Sequence, residues 1–218
     1  MNKPKEVLVL FSGGKDSSAV AAQLAASGYK VKLFSCIAGP TELSGPNGDS
    51  APDIRVKELV EAFPNSIDSE RIKYDDSYLI RKLGIERTNS THVVYPLVLA
   101  LAVHCSAICY CLKHGVKIIA TGYSGYQAQK DNYIEQQPLF VKLTRKWVKS
   151  YGIEYLTPVI TNTELEVKDI LERYGVSSNS LEGKTIFSGI AFDKEKAEEF
   201  WTSSMPICES FIDKIVGR

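Results

Sequence analysis

Residues 7–20 read VLVLFSGGKDSSAV, and this stretch decides the prediction of the fold. The apolar run from Val7 to Phe11 is typical of a strand that is covered on both faces. Two glycines, a lysine, an aspartate and three serines then occupy the seven positions 12–18, before small apolar residues resume. The pattern predicts a strand, a tight turn, and a helix that starts near Ser17 and closes at Gly28.

The rest of the chain repeats this alternation of strands and helices. Further strands are predicted at 29–36, 71–74, 116–120 and 153–156, and further helices at 55–63, 78–83, 93–112, 137–150 and 163–174. Segments 38–53 and 121–132 are polar and rich in turn residues, so we expect loops there. The alternation predicts an α/β fold with a doubly wound parallel sheet. We place this domain at 1–180 and a helical C-terminal appendage, packed on the domain or on a second subunit in a homodimer, at 181–218.

Composition indicates a globular protein of the cytoplasm. Hydrophobic residues make up 44% of the chain, which is enough for a core. Lys plus Arg and Asp plus Glu both number 26, and this balance argues against a dedicated nucleic-acid binder, although a local basic patch could hide in a neutral total. The N-terminal apolar run is too short for a signal peptide. Five cysteines, an odd number, indicate reduced thiols and a cytoplasmic location.

Segment 93–112 contains no Asp, Glu, Lys or Arg and is long enough to cross a membrane. A helix that is buried on all sides within an α/β fold has the same composition. Because water-soluble patterns flank the segment, we predict a core helix and no membrane contact.

The segment after the first strand has the properties of a phosphate site. Gly13 and Gly14 let backbone N–H groups converge on an anion without a Cβ in the way. The helix that follows directs its positive end to the same place, and Lys15 adds a point charge. Hydroxyl donors come from Ser12, Ser17 and Ser18. Asp16 would repel phosphate alone, so its presence indicates a bound Mg²⁺. Asp16 is also a candidate N-cap of the helix, and the two roles are compatible.

Other nucleotide and hydrolase motifs do not fit. A Walker A loop would need glycine where Val9 stands, and no G-x-G-x-x-G sequence occurs. The segment Gly122–Gly125 misses the G-x-S-x-G nucleophile motif by one residue.

The strand followed by SGGKDSS and a helix resembles the PP-loop of the N-type ATP pyrophosphatases, whose signature is SGGxDS/T. The resemblance implies that residues 12–18 bind ATP with Mg²⁺ held at Asp16. It also implies that Lys15 and Asp16 take part in transfer of AMP to a carbonyl or carboxylate, with release of pyrophosphate.

Two further segments, ATGYSGY at 120–126 and YLTPV at 155–159, are similar to those of the 7-cyano-7-deazaguanine synthases. This likeness implies that Ser35, Gly122 and Tyr123 contribute to the ATP site. It implies that substrate contacts come from Ser124, Tyr126 and Lys130. Those synthases also carry a four-cysteine zinc site, but residues 177–180 here read SSNS where its first cysteine stands, so we predict no zinc.

The resemblance therefore implies an ATP-dependent, ligase-like enzyme that adenylates a carboxylate of a small molecule or protein, after which ammonia or an amine displaces AMP. Two alternatives stay open. One is a tRNA-modifying enzyme of the thiolation or lysidine type. The neutral charge and the lack of a CxxC pair disfavour it, so a nucleic-acid partner is the weaker expectation. The other is a nucleotide-binding module without catalysis.

Overall fold

Five short strands pair into one sheet in the computed structural model, which describes residues 4–37, 50–87, 95–130, 133–179 and 193–217. The strands are β1 (Glu6–Leu10), β2 (Lys30–Ile37), β3 (Ile72–Asp75), β4 (Ile118–Thr121) and β5 (Glu154–Leu156). Every pairing in this sheet is parallel, and the spatial order is β3-β2-β1-β4-β5. The predicted α/β fold with a parallel sheet is confirmed.

Helices cover both faces of the sheet. They are α1 (Lys15–Ala26), α2 (Ala51–Ala62), α3 (Ser77–Arg87), α4 (Tyr95–His114), α5 (Gly125–Lys130), α6 (Pro138–Ser150), α7 (Glu164–Arg173) and α8 (Lys194–Val216). Alternate residues of β1 point to opposite faces. Val7 and Val9 pack with α1, α2 and α7, whereas Leu8 and Leu10 pack with α3, α4, α6 and α8. The sheet is therefore doubly wound.

The strand order defines where a ligand would bind. From β1 the chain moves outward through β2 to β3, and it then returns to the other side of β1 for β4 and β5. Such a reversal leaves a crevice outside the carboxyl ends of the two strands that flank it, here β1 and β4. Ser12 follows the end of β1 by two residues, and Gly122 directly follows the end of β4.

Helix α4 contains most of segment 93–112, whose uncharged composition is compatible with a membrane span. By length and composition, Pro96–His114 could span a bilayer, but 67% of its apolar window is buried inside the protein. The helix packs against the sheet and against α3 and α8. Its uncharged composition is explained by this position, because nearly every side of the helix meets other apolar residues.

Helix α8 packs on α4 and α6 through aromatic residues. Trp201 lies 5.7 Å from Phe140 and 6.3 Å from Trp147, measured between ring centroids. Residues 181–192, where the predicted appendage begins, lie outside the described ranges. The domain boundary at 180 and the contact with a second subunit stay predictions.

Two predicted loops contain helices. Helix α2 begins at Ala51, inside the segment 38–53, whose residues 38–49 lie outside the described part of the chain. Ser50 at the N-cap and Pro52 in the first turn are favourable helix-start residues that the loop prediction overlooked. Helix α5 occupies much of segment 121–132 and was missed because six mostly polar residues show no helical period of apolar ones. Helix α1 likewise begins at Lys15, two residues before the predicted start.

Helix α7 begins as the sequence predicts. The Thr163 hydroxyl accepts a hydrogen bond from the backbone N–H of Glu166, and the Glu166 carboxylate accepts one from the backbone N–H of Thr163. This reciprocal capping box fixes the first turn of the helix. It thereby fixes the position of Glu164, the first helical residue.

Candidate functional site

The turn after β1 depends on glycine for two reasons. Gly13 has φ of +83°, a left-handed conformation that residues with a Cβ rarely adopt. A Cβ at this position would also lie 2.6 Å from the Cα of Pro52 at the start of α2. Gly14 is the N-cap of α1, so Asp16 lies within the first turn and is not the N-cap. The carboxylate of Asp16 is therefore left for other contacts.

The three serines of this segment take different positions. Ser12 is exposed, and its hydroxyl accepts a hydrogen bond from the Gly14 backbone N–H at 3.2 Å. Ser17 and Ser18 are buried, and their hydroxyls donate to the Gly14 carbonyl at 3.2 and 2.7 Å. Ser18 therefore holds the turn together from inside, while Ser12 presents its side chain at the surface.

Lys15 forms an ion pair across the site. Its ammonium lies 2.6 Å from a carboxylate oxygen of Glu164, and Lys168 approaches the same oxygen at 3.4 Å. The hydrogen bond and the charge of Lys15 lower the pKa of Glu164 to about 2. The lysine that we expect to contact phosphate is thus held in place by the first turn of α7.

Asp16 joins the first segment, residues 12–18 after β1, to the second segment, residues 122–130 after β4. Its carboxylate accepts hydrogen bonds from the Tyr126 hydroxyl, at 2.8 and 3.0 Å to its two oxygens, and from the Gln127 side-chain amide at 3.0 Å. Burial, followed by the charge and hydrogen bond of Asp16, raises the pKa of Tyr126. Tyr126 therefore stays protonated and acts as a donor at neutral pH.

Gly122 allows the second segment to approach the N-terminal turn of α1 closely. A Cβ there would lie 2.5 Å from the backbone nitrogen of Ser17 and 2.8 Å from the carbonyl carbon of Asp16. The backbone after β4 consequently lies against the N-terminal turn of α1. Any residue larger than glycine would push the two predicted parts of the site apart.

Gln127, Gln136 and Glu164 belong to the site, although the sequence did not single them out. Gln136 precedes α6 and is buried; its side-chain oxygen accepts from the Ser124 backbone N–H at 2.9 Å, and its amide donates to Gln127 at 3.1 Å. Gln127 in turn donates to Asp16. This relay joins residues far apart in the chain, so no local pattern could have identified it.

Ser124, Ser35 and Lys130 were also predicted to be site residues. Ser124 is fully buried, and its hydroxyl has no hydrogen-bond partner among the described residues. Ser35 is buried at the end of β2, where its hydroxyl donates to the Phe11 carbonyl at 2.6 Å and ties β2 to β1. Lys130 is the last residue of α5, and its side chain lies outside the described part.

Tyr123 belongs to a buried polar cluster behind the crevice. Its ring lies 6.1 Å from that of His104. His104 donates from Nδ1 to the Ala100 carbonyl at 2.6 Å, so its Nε2 accepts from the Tyr155 hydroxyl at 2.9 Å. Burial lowers the pKa of His104 to about 4, so this imidazole is neutral at physiological pH. Burial also raises the pKa of the nearby Glu135 carboxyl to about 7.

The donor set at the crevice fits Mg²⁺ bound together with a nucleotide. Mg²⁺ is usually held by one or two carboxylates plus substrate phosphates, and Asp16 supplies a carboxylate beside the glycine turn. Among the residues that the structure describes, no group of three or more His, Cys, Asp and Glu side chains stands close enough to form an all-protein metal site.

No family model and no curated protein matches the sequence. Among solved structures, the chain is similar to a 4-thiouridine synthetase in complex with RNA and bound ATP, with a TM-score of 0.57 and 12% identity. The match covers 98% of this chain and 53% of the synthetase, so the chain spans about half of that protein.

Two weaker similarities were also found. A predicted subunit of a tRNA methyltransferase from Methanocaldococcus jannaschii gives a TM-score of 0.46 at 19% identity, covering 80% of this chain and 90% of the other. A U34-tRNA thiolase from Methanococcus maripaludis gives 0.47 at 17%, covering 99% and 71%. Of the three, the synthetase alone exceeds a TM-score of 0.5, and its likeness establishes a shared fold.

Proposed function

We propose that this protein is an ATP-dependent adenylating enzyme of the PP-loop superfamily and that its acceptor is a base of an RNA. The observation that carries the proposal is the meeting of the Gly13 turn, the start of α1 and the Asp16 carboxylate at the switch point between β1 and β4. The choice of RNA is supported by the shared fold with a synthetase whose structure holds both RNA and ATP.

The chain has the groups needed to hold the phosphates of ATP. The N-terminal turn of α1 has backbone N–H groups without a helical partner, and the Gly13 turn brings the preceding backbone to the same place. The Lys15 ammonium has three N–H donors, so it can donate to a phosphate oxygen in addition to Glu164. Mg²⁺, held at Asp16 with phosphate oxygens, would neutralise charge that develops on the pyrophosphate leaving group.

The proposed reaction has two steps. An oxygen of the acceptor carbonyl attacks the α-phosphorus of ATP, the bond to the bridging oxygen breaks, and pyrophosphate leaves with the electron pair. A nucleophile then attacks the activated carbon and releases a proton to solvent, and AMP leaves with the former carbonyl oxygen. The residues around the crevice contribute by orienting ATP and by placing fixed donors where charge accumulates.

The thiols of the chain are poorly suited to supply a sulfur nucleophile. Four of the five cysteines are buried, and Cys36 at the end of β2 is half-buried. Burial, and then the charge and hydrogen bond of Asp76, raise the pKa of Cys36 far above neutrality, so it remains a weakly nucleophilic thiol. We therefore propose that the nucleophile, whether ammonia, an amine or a sulfur donor, comes from outside this chain.

A second candidate is adenylation of a small-molecule or protein carboxylate. The segments ATGYSGY and YLTPV, similar to those of the 7-cyano-7-deazaguanine synthases, favour it. The two candidates share the ATP chemistry and differ in the acceptor.

Product analysis tests both candidates. The purified protein is incubated with Mg²⁺ and ATP labelled at the α-phosphate, and unmodified tRNA transcripts or carboxylates, including 7-carboxy-7-deazaguanine with ammonia, are added in turn. We expect AMP and pyrophosphate to accumulate and tRNA to stimulate their formation most. Stimulation by a carboxylate alone would favour the second candidate, and formation of ADP with phosphate would contradict both.

A further inference from the structure

Helix α6 carries a row of four cations on one exposed face, Lys142, Arg145, Lys146 and Lys149, which we call the α6 stripe. Their spacing of three, four and seven residues places them along one side of the helix. The other side is buried and consists of Phe140, Val141, Thr144, Trp147 and Val148. The helix contains no Asp or Glu.

Within the part of the chain that the structure describes, no carboxylate forms an ion pair with the stripe. Arg145 instead donates a hydrogen bond to the Thr157 hydroxyl at 3.1 Å. Like charges four residues apart, such as Lys142 and Lys146, destabilise an isolated helix. In a chain whose formal net charge is zero, four uncompensated cations on one face form a distinct local patch.

The stripe begins at the edge of the sheet that carries the candidate site. Thr157, which contacts Arg145, directly follows β5 at its carboxyl end. The 3-10 helix that leads into α6 contains Gln136, which holds the Ser124 backbone N–H of the second segment. From there the stripe extends along α6 beside the edge strand β5, over about 10 Å at 1.5 Å per residue.

We infer that the α6 stripe is a docking surface for the phosphate backbone of the RNA whose base enters the crevice. The inference rests on the proposed function for the choice of RNA, while the surface follows from the unpaired charges and their place beside the site. A row of exposed cations fits a sequence-independent phosphate contact, because such contacts position a nucleic acid without reading its bases.

The test compares two triple variants of the full chain. The stripe variant is Lys142→Gln, Lys146→Gln and Lys149→Gln, which leaves the Arg145 contact with Thr157 in place. The matched control is Lys194→Gln, Lys196→Gln and Lys214→Gln, three exposed lysines of α8 with the same change of charge. Binding of a fluorescein-labelled tRNA transcript is followed by anisotropy from low to moderate salt, and thermal unfolding of each variant checks that it is folded.

We expect the stripe variant to bind RNA at least about tenfold more weakly at low salt. The negative slope of log K against log salt should become shallower by about 2, because three phosphate contacts are lost. The control variant should bind as the wild type does. Equal losses in the two variants, no loss in the stripe variant, or wild-type binding to phosphatidylserine vesicles but not to RNA would each overturn the inference.

Assay of AMP formation on the same samples separates the inference from the proposed function. Stripe-dependent RNA binding without RNA-stimulated AMP formation would support the docking surface and refute RNA as the adenylation substrate. RNA-stimulated AMP formation that is equal in the wild type and the stripe variant would support adenylation and overturn the docking surface.

Discussion

The segments that follow β1 and β4 meet at Asp16, but they are held in opposite ways. In the first segment, the turn is closed by bonds between near neighbours, such as Ser12 with Gly14 and Gly14 with Ser18. The second segment is positioned by distant residues: Gln136 holds Ser124, and the Ile160 carbonyl accepts from the Gly125 backbone N–H at 3.0 Å. The first is a local motif, whereas the second exists only once the fold has formed.

The largest effect is expected where the two segments join. Asp16→Asn keeps the size of the side chain but removes the charge that we propose holds Mg²⁺. We expect ATP-dependent AMP formation to fall by at least about 10²–10³-fold, the scale found when one group that stabilises a transition state is removed. Rates are measured with α-labelled ATP, and Asp169→Asn, an exposed residue of α7, is the control. A loss below tenfold would contradict the role of Asp16.

The contact between the segments is tested at Gly122. Gly122→Ala places a methyl group against the backbone of Ser17, so we expect a loss of about 1–3 kcal/mol in unfolding free energy. Gly84→Ala is the matched control, because its Cβ meets no atom within 4 Å and helix α3 should gain up to about 1 kcal/mol from alanine. The measurement is urea denaturation. Equal stability of the two variants would refute the close approach of the segments.

The relay of the second segment is tested at Gln136. Gln136→Ala leaves the buried Ser124 N–H without its acceptor, which costs about 1–3 kcal/mol if no water replaces it. Gln127 also loses the hydrogen bond from Gln136, so we expect AMP formation to fall by about tenfold with residues 12–18 unchanged. Gln129→Ala, at an exposed position of α5, should leave both stability and rate unaltered. Wild-type activity in the Gln136 variant would mean that the relay does not position Asp16.

The smallest effect concerns the Lys15–Glu164 ion pair, a long-range contact of the first segment. Because the pKa of Glu164 is lowered to about 2, the pair contributes stability above pH 4.5, and this contribution is lost as the pH falls toward 2. The Glu164 side chain is 35% exposed, so we expect less than about 1 kcal/mol. Thermal unfolding of Glu164→Gln and the wild type should differ at pH 7 and converge near pH 2. A difference that stays constant with pH would contradict this assignment.

These differences explain which parts of the fold and of the site could be predicted from the sequence. The strands, most helices and the turn at 12–18 were predictable because their signals are apolar periodicity and the conformational demands of glycine. Helix α5 was missed because its sequence is polar, and Gln127 and Gln136 were missed because glutamine has no role that local spacing reveals. The α6 stripe was concealed by the neutral total charge, since composition carries no information about which face of a helix holds the lysines.

The measurement that most directly tests the central claim follows the oxygen atom that enters AMP. The enzyme is incubated with ATP, Mg²⁺, a stimulating acceptor and a nucleophile in water enriched in oxygen-18, and AMP is analysed by mass spectrometry. If the acceptor is adenylated, AMP takes its new oxygen from the acceptor and carries no label from water. Label from water in AMP, or ADP in its place, would contradict the adenylation mechanism.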